Sequence, residues 1–265
     1  MFLKDYLNIN GNRLNYYESG YGKTTIVFLS GFGTPFAIAD MYELATLLQV
    51  KCRCVIIDRF GYGNSDIVNT ERNLENICNE IKQVFKLLNI DPKKTILLGH
   101  SSANFYSMYI NKDLKLKGLI LIDLEKLTNV KLLFTKFIYS IYFLLTKTFM
   151  KKIFDNCVNK MFERSIPNEY KLEGKSIQKN KIPNKCIKDE MKWYCNELKN
   201  FENRIEKDSL SKALLVCRKN TFKYNVNIKD RFKEVKILNV GKAEHYIHYS
   251  HFYMIVKETL RYFEI

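Results

Sequence analysis

The chain has 265 residues, of which 46% are hydrophobic and 27% are charged, a composition typical of a globular protein with one large domain or a core carrying an inserted cap. Its 43 lysines and arginines outnumber its 28 acidic residues, so the formal net charge is +15, but they form no run of five or more and accompany no nucleic-acid motif. We expect this charge to lie on a solvated surface rather than to recruit an anionic partner, and we expect no nucleic-acid partner. The seven cysteines form no CxxC pair, which argues against a disulfide framework.

Apolar runs and helical patterns alternate through the first 123 residues. In chain order, strands are predicted on both sides of an Asn10–Gly11 turn and at 24–30, 52–58, 95–99 and 117–123. Helices are predicted at 39–48, in the amphipathic segment after Thr70, and at 102–111. This alternation is typical of an α/β fold whose mostly parallel sheet carries helices on both faces and binds ligands at the carboxyl ends of its strands.

The same pattern resumes near the end of the chain. Strands are predicted at 213–217 and 235–240, and a helix at 250–263 with Ser250 at its start. The intervening residues have helical composition and little strand signal. We therefore predict an α/β core formed by residues 1–123 and 211–265, with residues 124–210 inserted as a helical cap.

The segment TILLGHSSAN (95–104) runs from a predicted strand directly into a predicted helix, with serine at the turn. A strand–Gly-x-Ser-x-small–helix turn is typical of a nucleophile elbow, where a strained backbone holds the central hydroxyl clear of the sheet. Strand and helix approach closely at such a turn, and Gly99 and Ala103 are small enough to allow it. Ser101 is therefore the candidate nucleophile.

The residues beside Ser101 are expected to have other roles. Ser102 is a poor nucleophile candidate because the residues at the same offsets from it, His100 and Asn104, are too bulky for the turn. Its backbone amide lies at the N-terminus of the predicted helix, where it can stabilise an oxyanion. His100 is expected either to line the substrate pocket or simply to pack.

Four motifs follow one another in the order and on the elements that the α/β-hydrolase family uses. They are SGFG (30–33), DRFGYGNS (58–65), GHSSA (99–103) and EHYIHY (244–249). The chain therefore resembles a serine esterase of the α/β-hydrolase family over essentially its whole length outside the predicted cap. It is most similar to a little-studied bacterial subgroup with an SGFGTP loop and an HYxHW-like histidine motif.

The resemblance implies roles for residues in three of these motifs. The amide of Phe32 would donate to the oxyanion together with that of Ser102. We also expect Gly31 and His100 to contact the substrate, with packing as the alternative for His100. His245 would act as the general base, because an imidazole titrates near the working pH of most enzymes.

The acid that orients the histidine is absent from its frequent place in the family. Relatives often carry it after the seventh strand, where this chain has VCRKNTFKYN (216–225) and no carboxylate. Some members carry the acid after the sixth strand, and Asp123 stands there. We predict that Asp123 orients His245, with Glu125 and then Asp230 as alternatives. The competing interpretation is that Asp123 only caps the next turn.

The histidines His245, His248 and His251 form a His-x-x-His-x-x-His pattern, which raises the possibility of a metal site. Their spacing differs from the i, i+4 pair of a zinc protease helix, and no matching carboxylate motif accompanies them. We therefore expect neither a metal nor another cofactor.

The most apolar stretch of the chain, residues 130–154, has two interpretations. Its uninterrupted apolar run is too short to span a bilayer. We favour a cap helix that lines an acyl-sized pocket over a helix that lies in a membrane interface with its lysines toward anionic headgroups. The N-terminal segment MFLKDYLNINGN lacks the pattern of a signal peptide, so we expect a cytoplasmic location, with peripheral membrane contact as the alternative.

Together these features predict a serine hydrolase that cleaves a small carboxylic ester with an apolar or acyl group. A serine at the elbow argues against haloalkane dehalogenase or epoxide hydrolase chemistry, which a similar fold performs with an aspartate nucleophile. Thioesterase, lactonase and amidase activities stay open because the same triad serves each of them. The oligomeric state also stays open. The alternative is a non-catalytic protein of the same fold that binds a small ligand or a membrane surface.

Overall fold

The computed structural model describes residues 2–126, 159, 161–197, 201, 205–206 and 209–265. The described residues form a single eight-stranded sheet. Its strands are β1 (Leu3–Ile9), β2 (Asn12–Ser19), β3 (Thr25–Leu29), β4 (Arg53–Ile57), β5 (Thr95–His100), β6 (Gly118–Ile122), β7 (Ala213–Cys217) and β8 (Val235–Asn239).

The strand order is β1-β2-β4-β3-β5-β6-β7-β8. β2 pairs antiparallel with β1 and β4, and every other neighbouring pair is parallel. The carboxyl ends of the central strands therefore meet at one edge. This mixed, mostly parallel sheet is the fold class that the sequence predicted.

Helices cover both faces of the sheet. They are α1 (Ala37–Leu48), α2 (Leu74–Leu87), α3 (Ala103–Leu114), α4 (Asn168–Asn180), α5 (Lys185–Glu197), α6 (Lys219–Asn227), α7 (Ile247–Ser250) and α8 (Phe252–Tyr262). One hydrophobic cluster contains the buried faces of α2 and α3, and a second contains those of α1 and α8. Because both faces are covered, every residue of β3, β5, β6 and β7 is buried, which explains their mostly apolar sequences.

Most element predictions are confirmed, including the Asn10–Gly11 turn that joins β1 and β2, with φ angles of 53° and 81°. Three details differ. α2 begins at Leu74 rather than after Thr70, because the side chain of Asn73 caps it by accepting a hydrogen bond from the backbone amide of Asn76. The predicted terminal helix, 250–263, is α8, which begins at Phe252 instead of Ser250 and follows a short separate helix, α7. Helix α6 was not predicted.

The predicted cap, residues 124–210, contributes α4 and α5 in its described part. The division into core and cap stays a prediction. The apolar stretch 130–154 lies outside the described residues. Among the helices of the described ranges, none is long and apolar enough to cross a membrane.

Candidate active site

Ser101 occupies a sharp turn between β5 and α3. Its φ of 56° lies in the left-handed region, which is uncommon and strained for a residue with a side chain. Its amide donates a hydrogen bond to the carbonyl oxygen of Ile122 at 3.0 Å, which ties the turn to the neighbouring strand. A Cβ on Gly99 would lie 2.9 Å from the backbone of Ala103, so only glycine fits there. This backbone leaves the Ser101 side chain partly exposed at the carboxyl end of β5.

A continuous series of hydrogen bonds links Ser101, His245 and Asp123. His245 lies in the loop between β8 and α7, and its Nε2 is 3.0 Å from Ser101 Oγ. Its Nδ1 is 2.7 Å from Asp123 Oδ2. Asp123 follows β6 directly, has a φ of 49° and is fully buried. The imidazole of His245 thus lies between the two side chains, with Nδ1 at the carboxylate and Nε2 at the serine hydroxyl.

The carboxylate of Asp123 is held by two further residues from the loop after β7 and the start of α6. Arg218 Nε donates to Asp123 Oδ2 at 2.8 Å, and Thr221 Oγ1 donates to Oδ1 at 2.8 Å. Glu125, the first alternative acid, forms an ion pair with Arg218. Asp230, the second alternative, lies in a short 3₁₀ turn and pairs with Arg231.

The SGFG loop lies against the turn that carries Ser101. A Cβ on Gly31 would lie 3.1 Å from Ser101 Cβ, so the loop approaches the candidate nucleophile closely. The amide of Phe32 donates a hydrogen bond to Ser102 Oγ at 2.6 Å. Ser102 is the residue immediately before α3, at its N-cap. The two amides implied as oxyanion donors are therefore on residues in direct contact.

Comparison by sequence gives little information. No known protein-family model matches the chain. The uncharacterized protein YbdG of Bacillus subtilis (strain 168) is 27% identical to it over 103 residues, 39% of this chain and 31% of that protein. The match therefore spans about a third of the length of that curated relative.

Solved structures match nearly the whole chain. Epoxide hydrolase CorEH without ligand aligns with a TM-score of 0.76 and 16% identity, covering 100% of this chain and 99% of that one. Haloalkane dehalogenase DbeA from Bradyrhizobium elkani USDA94 aligns with a TM-score of 0.73 and 12% identity, covering 100% and 98%. The CarC enzyme, a serine hydrolase involved in carbazole degradation, aligns with a TM-score of 0.76 and 14% identity, covering 100% and 99%. The chain has the α/β-hydrolase fold.

The fold does not determine which reaction the site performs. The three structures compared above are an epoxide hydrolase, a haloalkane dehalogenase and a serine hydrolase. The subgroup with an SGFGTP loop stays a prediction. The reaction therefore depends on the residues at the carboxyl ends of the strands.

The glycine-rich loop after β4 is held in place by Asp58, the residue that directly follows that strand. The buried carboxylate of Asp58 accepts hydrogen bonds from the side chain of Asn15 and from the amides of Ala37 and Asn64, at 3.0, 3.0 and 3.1 Å. A Cβ on Gly63 would fall 1.9 Å from Asp58 Oδ2. Asp58 therefore anchors this loop and the start of α1, and burial raises the pKa of its carboxyl.

Helix α5 of the predicted cap reaches the same region. Glu190 is fully buried and forms an ion pair with Arg59 at 2.6 Å, and it accepts a hydrogen bond from the hydroxyl of Tyr106 at 2.7 Å. The Tyr194 ring stacks on that of Phe32, with centroids 5.8 Å apart. Nothing in the sequence pattern of α5 predicted these contacts, which join residues far apart in the chain.

His100 and His248 form a buried cluster behind His245. His100 is only 1% exposed, and its Nε2 lies 3.2 Å from the carbonyl oxygen of His245. Burial, followed by the charges of His248 and His245, lowers the pKa of His100 well below its ordinary value. His100 thus packs against the proposed base, and its predicted contact with substrate stays a prediction.

His248 is held in that cluster by an acid that the sequence did not single out. Its Nε2 lies 3.0 Å from Asp40 Oδ1, which also accepts a 2.7 Å hydrogen bond from the hydroxyl of Tyr249. Burial alone would raise the pKa of Asp40, but the charge of His248 and the hydrogen bonds from His248 and Tyr249 lower it below its ordinary value. The pair buries an acid and a base together beside the site.

Two groups in the described part of the chain bring together enough ligand atoms to consider a metal. They are Asp40, His100 and His248, and Asp123, Glu125 and His245. In the second group, the Arg218 guanidinium forms ion pairs with both carboxylates. His251 belongs to neither group, and its Nδ1 lies 2.8 Å from Ser250 Oγ. The His-x-x-His-x-x-His pattern therefore does not converge on one point among the described residues.

Proposed function

We propose that this protein is a serine hydrolase that cleaves a carboxylic ester through an acyl-enzyme. The observation that carries the proposal is the hydrogen-bonded series from Ser101 Oγ through His245 to Asp123, with distances of 3.0 and 2.7 Å. A serine hydroxyl is a weak nucleophile, so it needs a base within hydrogen-bond reach. The base in turn needs a group that orients it and stabilises its charged form. Each requirement has a residue in place.

In the proposed reaction, Ser101 Oγ attacks the ester carbonyl while His245 Nε2 accepts the hydroxyl proton. The carbonyl oxygen becomes an oxyanion, which the amides of Phe32 and Ser102 stabilise. Collapse of this intermediate breaks the ester bond, and the leaving alkoxide takes the proton from His245. Water then attacks the acyl-enzyme while His245 accepts its proton, and Asp123 stabilises the imidazolium form. Collapse of this second tetrahedral intermediate breaks the bond between the acyl carbon and Ser101 Oγ, which takes the proton back from His245 as the carboxylic acid leaves.

Two features favour an ester with an apolar or acyl group. The nucleophile position carries serine, which suits acyl transfer rather than the aspartate-based chemistry of related epoxide hydrolases and haloalkane dehalogenases. The described cap residue Tyr194 stacks on Phe32, so aromatic surface lies next to the proposed oxyanion loop. We propose a small-molecule ester as the partner. Contact with a membrane through residues 130–154 is the secondary proposal.

Hydrolysis of nitrophenyl esters of increasing acyl length tests this function. We expect turnover by the wild type with one preferred length, and a loss of at least about a thousandfold in kcat for Ser101→Ala, since removing a triad nucleophile typically costs that much or more. Ser107→Ala is the control, because it removes a buried serine hydroxyl from α3 that lies outside the proposed triad. Thioesters, lactones and anilides of the preferred acyl group then separate esterase from thioesterase, lactonase and amidase activity.

The second candidate function is a non-catalytic binding protein of the same fold. The feature that favours it is the absence of a carboxylate after β7, where Arg218 and Thr221 stand instead. A folded wild type that hydrolyses none of these substrates and does not differ from Ser101→Ala would support that alternative.

A further inference from the structure

The hydrogen bond of the Phe32 amide is not the one that the proposed reaction requires. That amide is the proposed oxyanion donor, yet it donates to Ser102 Oγ at a short distance of 2.6 Å. A hydrogen bond weakens steeply as its angle departs from linear, so one N–H cannot point well at two acceptors. The donor meant for the oxyanion is therefore occupied in the free protein.

The Ser102 hydroxyl does not cap the helix that it precedes. A serine at an N-cap usually accepts a hydrogen bond from an amide of the first helical turn. Ser102 is the N-cap of α3, but its side chain makes no capping hydrogen bond. Among the described residues, the bond from Phe32 is the one hydrogen bond that its hydroxyl forms. The side chain is 1% exposed, so this contact is also shielded from water.

The loop around Phe32 is packed from two sides. Gly31 approaches the elbow so closely that a Cβ there would lie 3.1 Å from Ser101 Cβ. The Phe32 ring stacks on Tyr194 of α5, with an interplanar angle of 21°. These contacts keep the Phe32 amide within reach of the elbow, where it can point either at Ser102 Oγ or at an oxyanion.

We infer that the Ser102 hydroxyl holds the Phe32 amide in a resting position, and that the amide must exchange this bond for one to the oxyanion as the tetrahedral intermediate forms. The inference rests on the proposed function. Ser102 then has two opposed effects, because its backbone amide stabilises the oxyanion while its side chain competes with the oxyanion for the second donor. Ser102 is thus a positioning residue whose side chain lowers kcat of the wild-type enzyme.

Ser102→Ala tests the inference because it removes the competing acceptor and keeps the backbone amide. We expect kcat to rise about two- to tenfold, the factor that corresponds to one ordinary hydrogen bond, with KM little changed. An alkyl boronic acid, which forms a tetrahedral adduct with a reactive serine, should bind the variant more tightly by a similar factor. Ser107→Ala, whose hydroxyl donates to the carbonyl oxygen of Ala103 at 2.9 Å, should show neither change.

A lower or unchanged kcat in folded Ser102→Ala would overturn the inference, the lower value showing that the hydroxyl assists the oxyanion instead. Phosphonylation of Ser101 by a fluorophosphonate separates the two levels. If wild type and Ser102→Ala both react but kcat does not rise, only the inference fails. If neither reacts, the proposed function fails and the inference falls with it.

Amide hydrogen exchange at Phe32, measured by NMR, tests the resting bond without any substrate. Exchange should be slow in the wild type and faster in Ser102→Ala. If that variant does not fold, the wild type alone decides, because rapid exchange at Phe32 would contradict a held amide.

Discussion

Asp123 owes its position to residues that stand where the family often carries its acid. Arg218 and Thr221, from the loop after β7 and the start of α6, both donate to the carboxylate of Asp123 on the neighbouring strand end. The positive charge of Arg218 beside the carboxylate of Asp123 would weaken the attraction of that carboxylate for a protonated histidine. Glu125 pairs with the same guanidinium and balances that charge. Arg218 and Thr221 thus hold the carboxylate of Asp123 in the position that the proposed triad requires.

Replacing Asp123 by asparagine keeps the shape of the side chain but removes its charge. We expect kcat for the ester substrate to fall by about 10⁴, as in the serine protease triad, because the amide favours the wrong histidine tautomer. Glu125→Gln is the comparison variant, and it should lose less than about tenfold, since one partly exposed ion pair contributes little. Equal losses in the two variants, or an active Asp123→Asn, would show that the acid is assigned wrongly.

At the level of single residues, the sequence alone identifies some members of the candidate site and not others. Ser101 and His245 are predictable because each stands in a local motif. Asp123 was preferred over Glu125 and Asp230 on sequence alone, and its role stays a prediction. Its partners Arg218 and Thr221 were not predicted, because they lie nearly a hundred positions away in the chain. The hydrogen bond between Phe32 and Ser102 joins two predicted site residues, but its direction depends on backbone geometry that no motif records.

At the scale of elements, burial on both faces made the central strands predictable. β5, β6 and β7 are short apolar runs flanked by turns or polar residues, and each lies within a residue or two of its predicted bounds. Helix α6 was missed because its sequence, KNTFKYNVN, is mostly polar, with Thr221 and Asn225 the residues that it buries. Its stability comes from tertiary contacts such as those of Thr221 with Asp123, which propensity does not include.

The ion pair of Glu190 with Arg59 joins α5 to the glycine-rich loop after β4. Their side chains are 0% and 4% exposed. Glu190→Ala should lower the free energy of unfolding by about 3–5 kcal/mol, because it leaves the buried guanidinium without its counter-charge. Urea unfolding measures this change.

The matched control is Glu173→Ala on α4, which breaks a pair with Lys4 whose side chains are 32% and 44% exposed. This control should cost less than about 1 kcal/mol. A similar small loss for Glu190→Ala would show that α5 is not anchored to the core through this ion pair.

At the scale of the whole molecule, the fold gathers a site from three distant parts of the chain. Ser101 follows β5, Asp123 follows β6, and His245 lies after β8, so only the folded sheet brings their side chains within hydrogen-bond distance. The strands before these residues were predicted from the alternating pattern, whereas the order of the strands in the sheet was not. The contacts of the predicted cap with that site were not predicted either, because α5 carries no motif and reaches Arg59 and Phe32 only through the fold.

Labelling with a fluorophosphonate tests whether this fold activates Ser101, and it requires no knowledge of the substrate. Intact mass and peptide mapping of the folded wild type should show a single adduct on Ser101. The adduct should be absent from Ser101→Ala and from wild type unfolded in urea, because reactivity requires His245 and Asp123 in place. No adduct on a folded wild type, or an adduct on another residue, would show that Ser101 is not the activated nucleophile.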